Sequence, residues 1–137
     1  MSVYKRGGNF TNSEGVRHST LYTPPTGASA PGSLYGRAMQ ASDGSLYATF
    51  EQYTSGTPVF PIYKSTDNGN TWNQVGSAQD TQHNYGMRYH PFLYQLPQAV
   101  GDMPTETLVC AGNCIPNDLS STEIDLYYSG RRRDMGL

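Results

Sequence analysis

The sequence predicts an all-β protein made of short antiparallel strands. Tyr, Gly and Pro are abundant, with 11, 15 and 9 residues, whereas only 15% of the 137 residues are charged. This composition favours short strands and turns over helices. Short apolar runs alternate with turn signals, and none of these runs carries a sustained apolar stripe of helical period. The same series of runs then begins a second time.

The first series begins at residue 33 and supplies four strand candidates. They read "SLYGRAMQA", "SLYATFEQY", "VFPIYKS" and "TWNQVGS", and the turns between them are "SDG", "TSGTP" and "TDNGN". Each turn contains Gly, which takes backbone angles that tight turns require. Four antiparallel strands joined by short turns form the blade of a β-propeller. Residues 33–77 are therefore predicted to form one complete blade.

The second series supplies three strand candidates, "YGMRYHPFLYQLP", "ETLVCAG" and "TEIDLYYS". Leu46 lies 62 residues before Leu108, and Tyr63 lies 64 residues before Tyr127. A period near 60 residues indicates two copies of one unit. Residues 85–129 are therefore predicted to form a second, incomplete blade that lacks its fourth strand.

The N-terminal segment has a different texture from the two predicted blades. Residues 1–32 lack apolar periodicity and include "TPPTGASAPGS", which is rich in Pro, Gly, Ser and Thr. Such composition is typical of chain that cannot bury enough apolar surface to order itself. We predict a flexible, disordered N-terminal arm.

Charge and hydropathy exclude several classes of partner. The formal net charge is -2 and the isoelectric point is about 5.8, so no nucleic-acid partner is expected. No apolar run approaches the roughly 18 residues of a membrane span, so no membrane partner is expected. The first residues lack the apolar core of a signal peptide, which leaves the compartment open. No cofactor is expected.

Cysteine and histidine residues give only a weak metal signal. Cys110 and Cys114 occur in "CAGNC", a spacing without a nearby pair of histidines. They are interpreted as two separate structural thiols, because a disulfide would close a very short loop. His83 and His90 are seven residues apart and are interpreted as surface or loop residues. No metal site is predicted.

The stretch "STDNGNTW" predicts a stabilised hairpin corner. The side chains of Ser65 and Asp67 can accept hydrogen bonds from turn N–H groups, and Gly69 can adopt a positive φ. Thr71 completes the polar set, and Trp72 opens the next strand, where its ring can wedge under the corner. The corner is therefore predicted to be tied to the core by its Trp.

These residues fit the spacing S-x-D-x-G-x-T-W, which resembles the Asp-box, or BNR repeat, of the sialidase superfamily. The wider sequence over residues 33–129 is similar to fungal sialidase-like proteins and to exo-arabinanases of glycoside hydrolase family 93. The shared stretches are "PIYKSTDNGNTW", "MRYHPFLYQLP", "AGNCIPNDLSSTEIDLYYS" and the insertion "LPQAVGDMP". The resemblance implies about two four-stranded blades of a six-bladed β-propeller, in a chain that corresponds to the N-terminal part of a longer protein. In this family the Asp-box is structural and carries no chemistry.

The resemblance also implies a function. Full-length relatives of this type hydrolyse α-linked arabinan with two carboxylates, one acid/base and one nucleophile, which is consistent with retaining hydrolysis. Both carboxylates are expected beyond residue 129, so no catalytic residue is predicted here and the chain alone is expected to be inactive. The alternative is a non-catalytic propeller that binds carbohydrate or another protein, because Asp-boxes also occur in binding propellers.

Two arginines are the candidate substrate-binding residues. Arg37 matches an Arg that the family places on the innermost strand, where its planar donor fork would hold a sugar hydroxyl or carboxylate. A surface ion pair is the alternative. Arg88 begins the inner strand of the second blade and is predicted either to line the pocket or to serve in packing or at the rim. Carbohydrate is therefore the expected partner of the full-length protein.

The carboxylates of this chain do not form an evident catalytic pair. The sialidase branch needs an Asp in the loop after the second strand, but Glu51 at the strand end is the only carboxylate there. Sialidase activity is therefore not expected. Asp118 and Asp125 could suggest a pair, but Asp125 alternates with apolar neighbours and is interpreted as an outward strand residue.

The C-terminal residues 130–137 break the pattern. A second Asp-box is due at Ser129, but the sequence reads "SGRRRDMGL". Codons for this segment, read in a shifted frame, can spell "DGGETW", so one hypothesis is a reading frame lost near Ser129. A genuine basic tail is the alternative. Two blades of six would also leave apolar faces uncovered, so self-association of this chain is expected.

Overall fold

The computed structural model describes residues 2–6, 16–54 and 56–130. The described residues form three antiparallel sheets and no helix, and so contain no helical segment suited to crossing a membrane. The predicted all-β class is confirmed. The strands are β1 (Ser2–Arg6), β2 (Val16–Thr20), β3 (Ser33–Gln40), β4 (Leu46–Gln52), β5 (Phe60–Ser65), β6 (Asn73–Ala78), β7 (Gly86–Gln95), β8 (Leu108–Ile115) and β9 (Glu123–Tyr128).

The first predicted blade is a four-stranded sheet with the order β3-β4-β5-β6. Every neighbouring pair is antiparallel, as short hairpin turns require. Strand β4 is buried along most of its length because both faces of the sheet are covered. Ala48 and Phe50 point to one face, and Thr49 and Glu51 occupy the alternate positions. The sheet therefore separates two apolar clusters.

The second predicted blade contains three strands in the order β7-β8-β9 among the described residues. Strand β9 ends at Tyr128, and Ser129 continues the pairing by donating its backbone N–H to the Leu108 carbonyl at 2.8 Å. The three strand candidates of the sequence are thus confirmed. The anomalous stretch from residue 131 onwards lies outside the described residues.

The two blades share a buried apolar core. Strand β7 packs against β3 and β4 of the first blade. Phe60 and Ile62 of β5 meet Met87 and Leu93 of β7, and Cys110 of β8 belongs to the same cluster. Phe60 and Met87 are fully buried. Such contacts make the two sheets one packed unit, as expected for neighbouring propeller blades.

Residues 2–6 and 16–32 differ from the disordered arm predicted for residues 1–32, and residues 1 and 7–15 of that arm lie outside the described residues. Strands β1 and β2 pair antiparallel, and Leu21 just after β2 is buried against Phe50 on the far face of the first blade. The Ser19 hydroxyl also donates to the Gly69 carbonyl at 2.6 Å. Composition alone missed this segment, because strand pairing satisfies backbone groups whatever the side-chain periodicity, and one buried Leu anchors the segment.

The motif at residues 65–72 forms the hairpin corner between β5 and β6, as predicted. The Ser65 hydroxyl donates to the Asp67 carboxylate at 2.8 Å and accepts the Gly69 N–H at 2.8 Å. Asp67 in turn accepts the Thr71 N–H and hydroxyl at 2.9 and 2.7 Å. Gly69 adopts φ of 78°, which a side chain would disfavour.

Trp72 precedes β6 and packs against the cluster of Leu21, Ala48 and Phe50. The ring therefore lies between the corner and the core, as the predicted wedge requires. Its indole Nε1 is buried without a hydrogen-bond partner among the described residues. The Trp thus contributes apolar contact and no polar anchor.

Candidate functional site

Strands β3 and β7 are edge strands of their sheets, lie beside each other and carry the two candidate arginines. Arg37 lies on β3 opposite Thr49 of β4 and is exposed. Within the described residues it makes no ion pair, so the alternative of a surface ion pair is not seen. The Arg37 side chain is therefore open to solvent.

Arg88 is held more tightly than Arg37. It pairs with Asn113 at the start of β7, and its guanidinium donates to the Asn117 side-chain oxygen at 2.9 Å. The guanidinium carbon also lies 5.6 Å from the centre of the Tyr53 ring, which is the geometry of a cation–π contact. Its Nε is buried without a hydrogen-bond partner among the described residues. Arg88 therefore packs between the two sheets, whereas its role in lining a pocket stays a prediction.

Glu51 is a fully buried carboxylate next to this arginine. It lies at the end of β4 and accepts a hydrogen bond from the Tyr53 hydroxyl at 2.6 Å on one oxygen. Its second oxygen has no hydrogen-bond partner among the described residues. Burial, and then the Glu51 carboxylate, raise the pKa of Tyr53. The hydroxyl therefore stays protonated and keeps donating to Glu51.

Glu51, Tyr53, Arg88 and Asn117 form a polar chain that crosses from the first blade to the second. Tyr53 is the central member, since its hydroxyl donates a hydrogen bond to Glu51 and its ring makes a cation–π contact with the Arg88 guanidinium. This arrangement fixes the orientation of Arg88. Sequence reasoning recognised Glu51 and Arg88 separately, but not Tyr53, which no motif distinguished from the other tyrosines.

A second polar cluster lies between the β6–β7 loop and β9. The carboxylate of Asp80 accepts the backbone N–H groups of Gln82 and Tyr85 at 2.8 and 2.9 Å, and that of His83 as well. These bonds hold the pKa of Asp80 at about 2. Asp80 therefore stabilises the β6–β7 loop, and its carboxylate oxygens are already occupied by backbone N–H groups.

The structure overturns the interpretation of Asp125 as an outward residue. Asp125 faces inwards, within 4.8 Å of side-chain atoms of Cys114 and Asp80, and accepts the Tyr127 hydroxyl at 3.0 Å. Ile124 and Leu126 instead point outwards and are 71% and 58% exposed. The alternation of polar and apolar residues predicted correctly which residues of β9 share a face, but it does not indicate which face packs towards the first blade.

The remaining chemistry-bearing residues follow the sequence interpretation in part. Cys110 and Cys114 are free, buried thiols without a disulfide, and burial raises the pKa of each to about 12. His83 is an exposed loop residue, whereas His90 is exposed but lies within β7. Asp118 lies in the β8–β9 loop and accepts the Ser120 N–H at 3.0 Å. Among these residues the structure brings together no pair suited to acid/base catalysis.

No protein-family model and no curated protein matches the chain, but several solved structures match it. An α-L-arabinofuranosidase from Fusarium graminearum, solved with an iminosugar inhibitor, is 44% identical over 81% of this chain and 32% of its own, with a TM-score of 0.75. The family 93 α-L-arabinofuranosidase of the same organism, in complex with arabinobiose, is 43% identical over 82% of this chain and 32% of its own, also at 0.75.

An α-L-arabinanase from Penicillium chrysogenum, complexed with arabinobiose, is 40% identical over 96% of this chain and 34% of its own, with a TM-score of 0.76. The chain spans about a third of the length of these solved structures. Identity at this level over most of the chain, together with the shared fold, goes beyond a likeness of architecture alone. The chain therefore belongs to the family of sialidase-like β-propellers that includes the family 93 arabinofuranosidases and arabinanases.

Proposed function

We propose that this chain forms part of a binding site for arabinan-type glycans, which in a chain as long as its relatives serves a glycoside hydrolase. The proposal is supported by the two arginines on β3 and β7, neighbouring strands that we take as the innermost strands of their blades, in a fold shared with arabinobiose-bound relatives. A planar guanidinium offers several N–H donors in fixed directions, which suits the hydroxyl groups of a sugar.

The two arginines are proposed to act differently. Arg37 is exposed and unpaired among the described residues, so it can adjust to the hydroxyl groups of an incoming sugar. Arg88 is pre-oriented by Asn117 and Tyr53, so less side-chain entropy is lost when it binds. Arg37 would first contact the incoming sugar, and the fixed guanidinium of Arg88 would then orient it.

We further propose that this chain does not hydrolyse glycosidic bonds by itself. Retaining glycosidases place two carboxyl groups about 5 Å apart, one of which must donate a proton. Asp80 and Asp125 are close enough, but the Asp80 carboxylate is buried and already accepts backbone N–H groups of its own loop, so its oxygens are not free to attack a sugar or to protonate a leaving group. Glu51 is buried and has no second carboxylate among its hydrogen-bond partners in the described residues.

The test is a hydrolysis assay on the chain as it stands. Release of sugar from linear arabinan and from a sialoside would be measured, with the Fusarium graminearum enzyme as the positive control on arabinan. The expected result is no release by this chain from either substrate while the control releases arabinose-containing product. Turnover by the chain itself would contradict the proposal.

The alternative of a non-catalytic binding propeller is separated by the sequence of a longer form. Two carboxylates facing the central pocket in additional blades would support hydrolysis. A pocket that binds arabinobiose but lacks that pair would support binding alone. In either case the role proposed for Arg37 and Arg88 is the same.

A further inference from the structure

Strands β3 and β7 are each interrupted by a β-bulge. In β3 the register shifts between Leu34 and Arg37, and in β7 it shifts between Arg88 and Phe92. A bulge adds residues to one strand without a partner opposite them, and so re-aims their side chains. Each bulge lies directly beside a candidate arginine in the sequence, Arg37 in β3 and Arg88 in β7.

The residues in these bulges adopt a backbone conformation that large side chains avoid. Tyr35 has φ of 49°, and Tyr89 and His90 have φ of 55° and 57°. This left-handed region is normally taken by Gly or Asn, because a Cβ is crowded there. Three bulky residues in this conformation, in two separate strands, indicate that the fold tolerates strain to aim these side chains.

The strain brings two rings together across the blades. The ring centres of Tyr35 and His90 are 4.6 Å apart, with an angle of 52° between the ring planes. Tyr35 remains 42% exposed despite this contact, so part of its surface is open to solvent. Arg37 is also exposed and lies two residues beyond Tyr35 on the same strand.

A purely structural role explains these features less well. The blades are already joined by the buried cluster around Phe60 and Met87, and neither Tyr35 nor His90 belongs to that cluster. Residues that only tied the blades together would be expected to bury their rings. Instead, strained backbone holds a large aromatic surface in an exposed position.

We propose that Tyr35 and His90 form a stacking platform for a sugar ring, and that Arg37 donates hydrogen bonds to the hydroxyl groups of that sugar. The proposal rests on the proposed function and adds the residues that contact the apolar face of the sugar. A sugar ring presents C–H groups on its faces and hydroxyl groups at its edge. An aromatic surface beside a planar donor fork complements both.

The chemistry favours a neutral sugar over a charged ligand. The platform is uncharged apart from Arg37 and the histidine, and the chain carries a net charge of -2. A single guanidinium suits hydroxyl groups, whereas a polyanion would call for a cluster of basic side chains. The occupant we infer is an arabinose unit, the class of sugar bound by the solved relatives.

The test measures the dissociation constant of arabinobiose for the chain by ligand-observed NMR, with three substitutions of tyrosine. Tyr35→Asn removes the ring but keeps a residue that tolerates the left-handed backbone, so binding can be lost without added strain. Tyr35→Phe keeps the ring. Tyr94→Asn is the matched control, because Tyr94 is also an exposed tyrosine on an innermost strand, outside the bulges.

We expect Tyr35→Asn to weaken binding about tenfold, and Tyr35→Phe and Tyr94→Asn to change it less than about threefold. Equal binding by Tyr35→Asn and the unchanged chain would overturn the platform while leaving the proposed glycan binding intact. Absence of binding by the unchanged chain would overturn the platform and glycan binding together. Thermal unfolding of each variant shows whether the fold is retained, and a loss of binding shared by Tyr94→Asn would also count against the platform.

Discussion

The packing between the two blades can be tested at Gly112, where a single methyl group decides the outcome. Gly112 lies on β8, and the fully buried ring of Phe60 occupies the space of a side chain at this position. A Cβ added to Gly112 would clash with Cε2 of Phe60 and lie 2.9 Å from its Cζ. These contacts are far below van der Waals separation, and the ring is fully buried in a close-packed interior.

We predict that Gly112→Ala destabilises the protein by about 1–3 kcal/mol, the usual cost of overpacking a close-packed interior. Phe60→Ala alone should cost about 3–5 kcal/mol, because it leaves a cavity between the blades. Once the ring is gone, the same Gly112→Ala change should become neutral or stabilise by up to about 1 kcal/mol, since Ala costs less backbone entropy than Gly in a strand. The effect of the methyl group therefore changes sign with Phe60.

The assay is urea unfolding of the four proteins of this double-mutant cycle, followed by circular dichroism. The expected coupling energy is about 1–4 kcal/mol, which exceeds the roughly 0.3–0.5 kcal/mol within which independent sites add. Phe60→Leu is a milder background if Phe60→Ala is too unstable to measure. If Gly112→Ala costs the same with and without the Phe60 ring, the described packing of the two blades is wrong.

Three further outcomes follow from the structure. Because hydrogen bonds hold the folded-state pKa of Asp67 and of Asp80 at about 2, their contribution to stability should be present above about pH 4 and be lost between pH 4 and pH 2. Thermal unfolding across that range should show the loss, and Asp67→Asn should flatten it. Tyr53→Phe should destabilise the protein by about 1–3 kcal/mol, because Glu51 loses its hydrogen-bond partner. Adding Glu51→Gln should recover part of the lost stability. A Tyr53→Phe variant as stable as the unchanged chain would contradict the polar chain. Leu126→Glu on the exposed face of β9 should reduce self-association in light scattering, a prediction that fails if the unchanged chain is already monomeric.

The strands and their order were readable from the sequence because two signals agreed. Turn residues such as Gly69 marked the hairpins, and the spacing between the two copies placed equivalent strands in register. The motif ending in Trp72 was especially informative, since each of its polar residues has one local hydrogen-bonding task. Local chemistry of this kind does not depend on the rest of the fold.

The candidate site was only partly readable, because its geometry depends on contacts between blades. The sequence around Tyr35 and His90 contains no signal that predicts a left-handed backbone. In bulky residues this conformation is imposed by the surrounding structure. The inward face of Asp125 was missed for a similar reason, since alternation specifies two faces but not which one is buried. The N-terminal strands were missed because pairing of backbone groups leaves no side-chain period.

A two-dimensional NMR titration of the chain with arabinobiose tests the proposed glycan-binding role of Arg37 and Arg88 most directly. We expect the largest shifts at the guanidinium signals of Arg37 and Arg88, on β3 and β7, and little change at the Gly69 amide in the β5–β6 corner. Unchanged Arg37 and Arg88 signals at saturating sugar, or shifts confined to the corner, would contradict it.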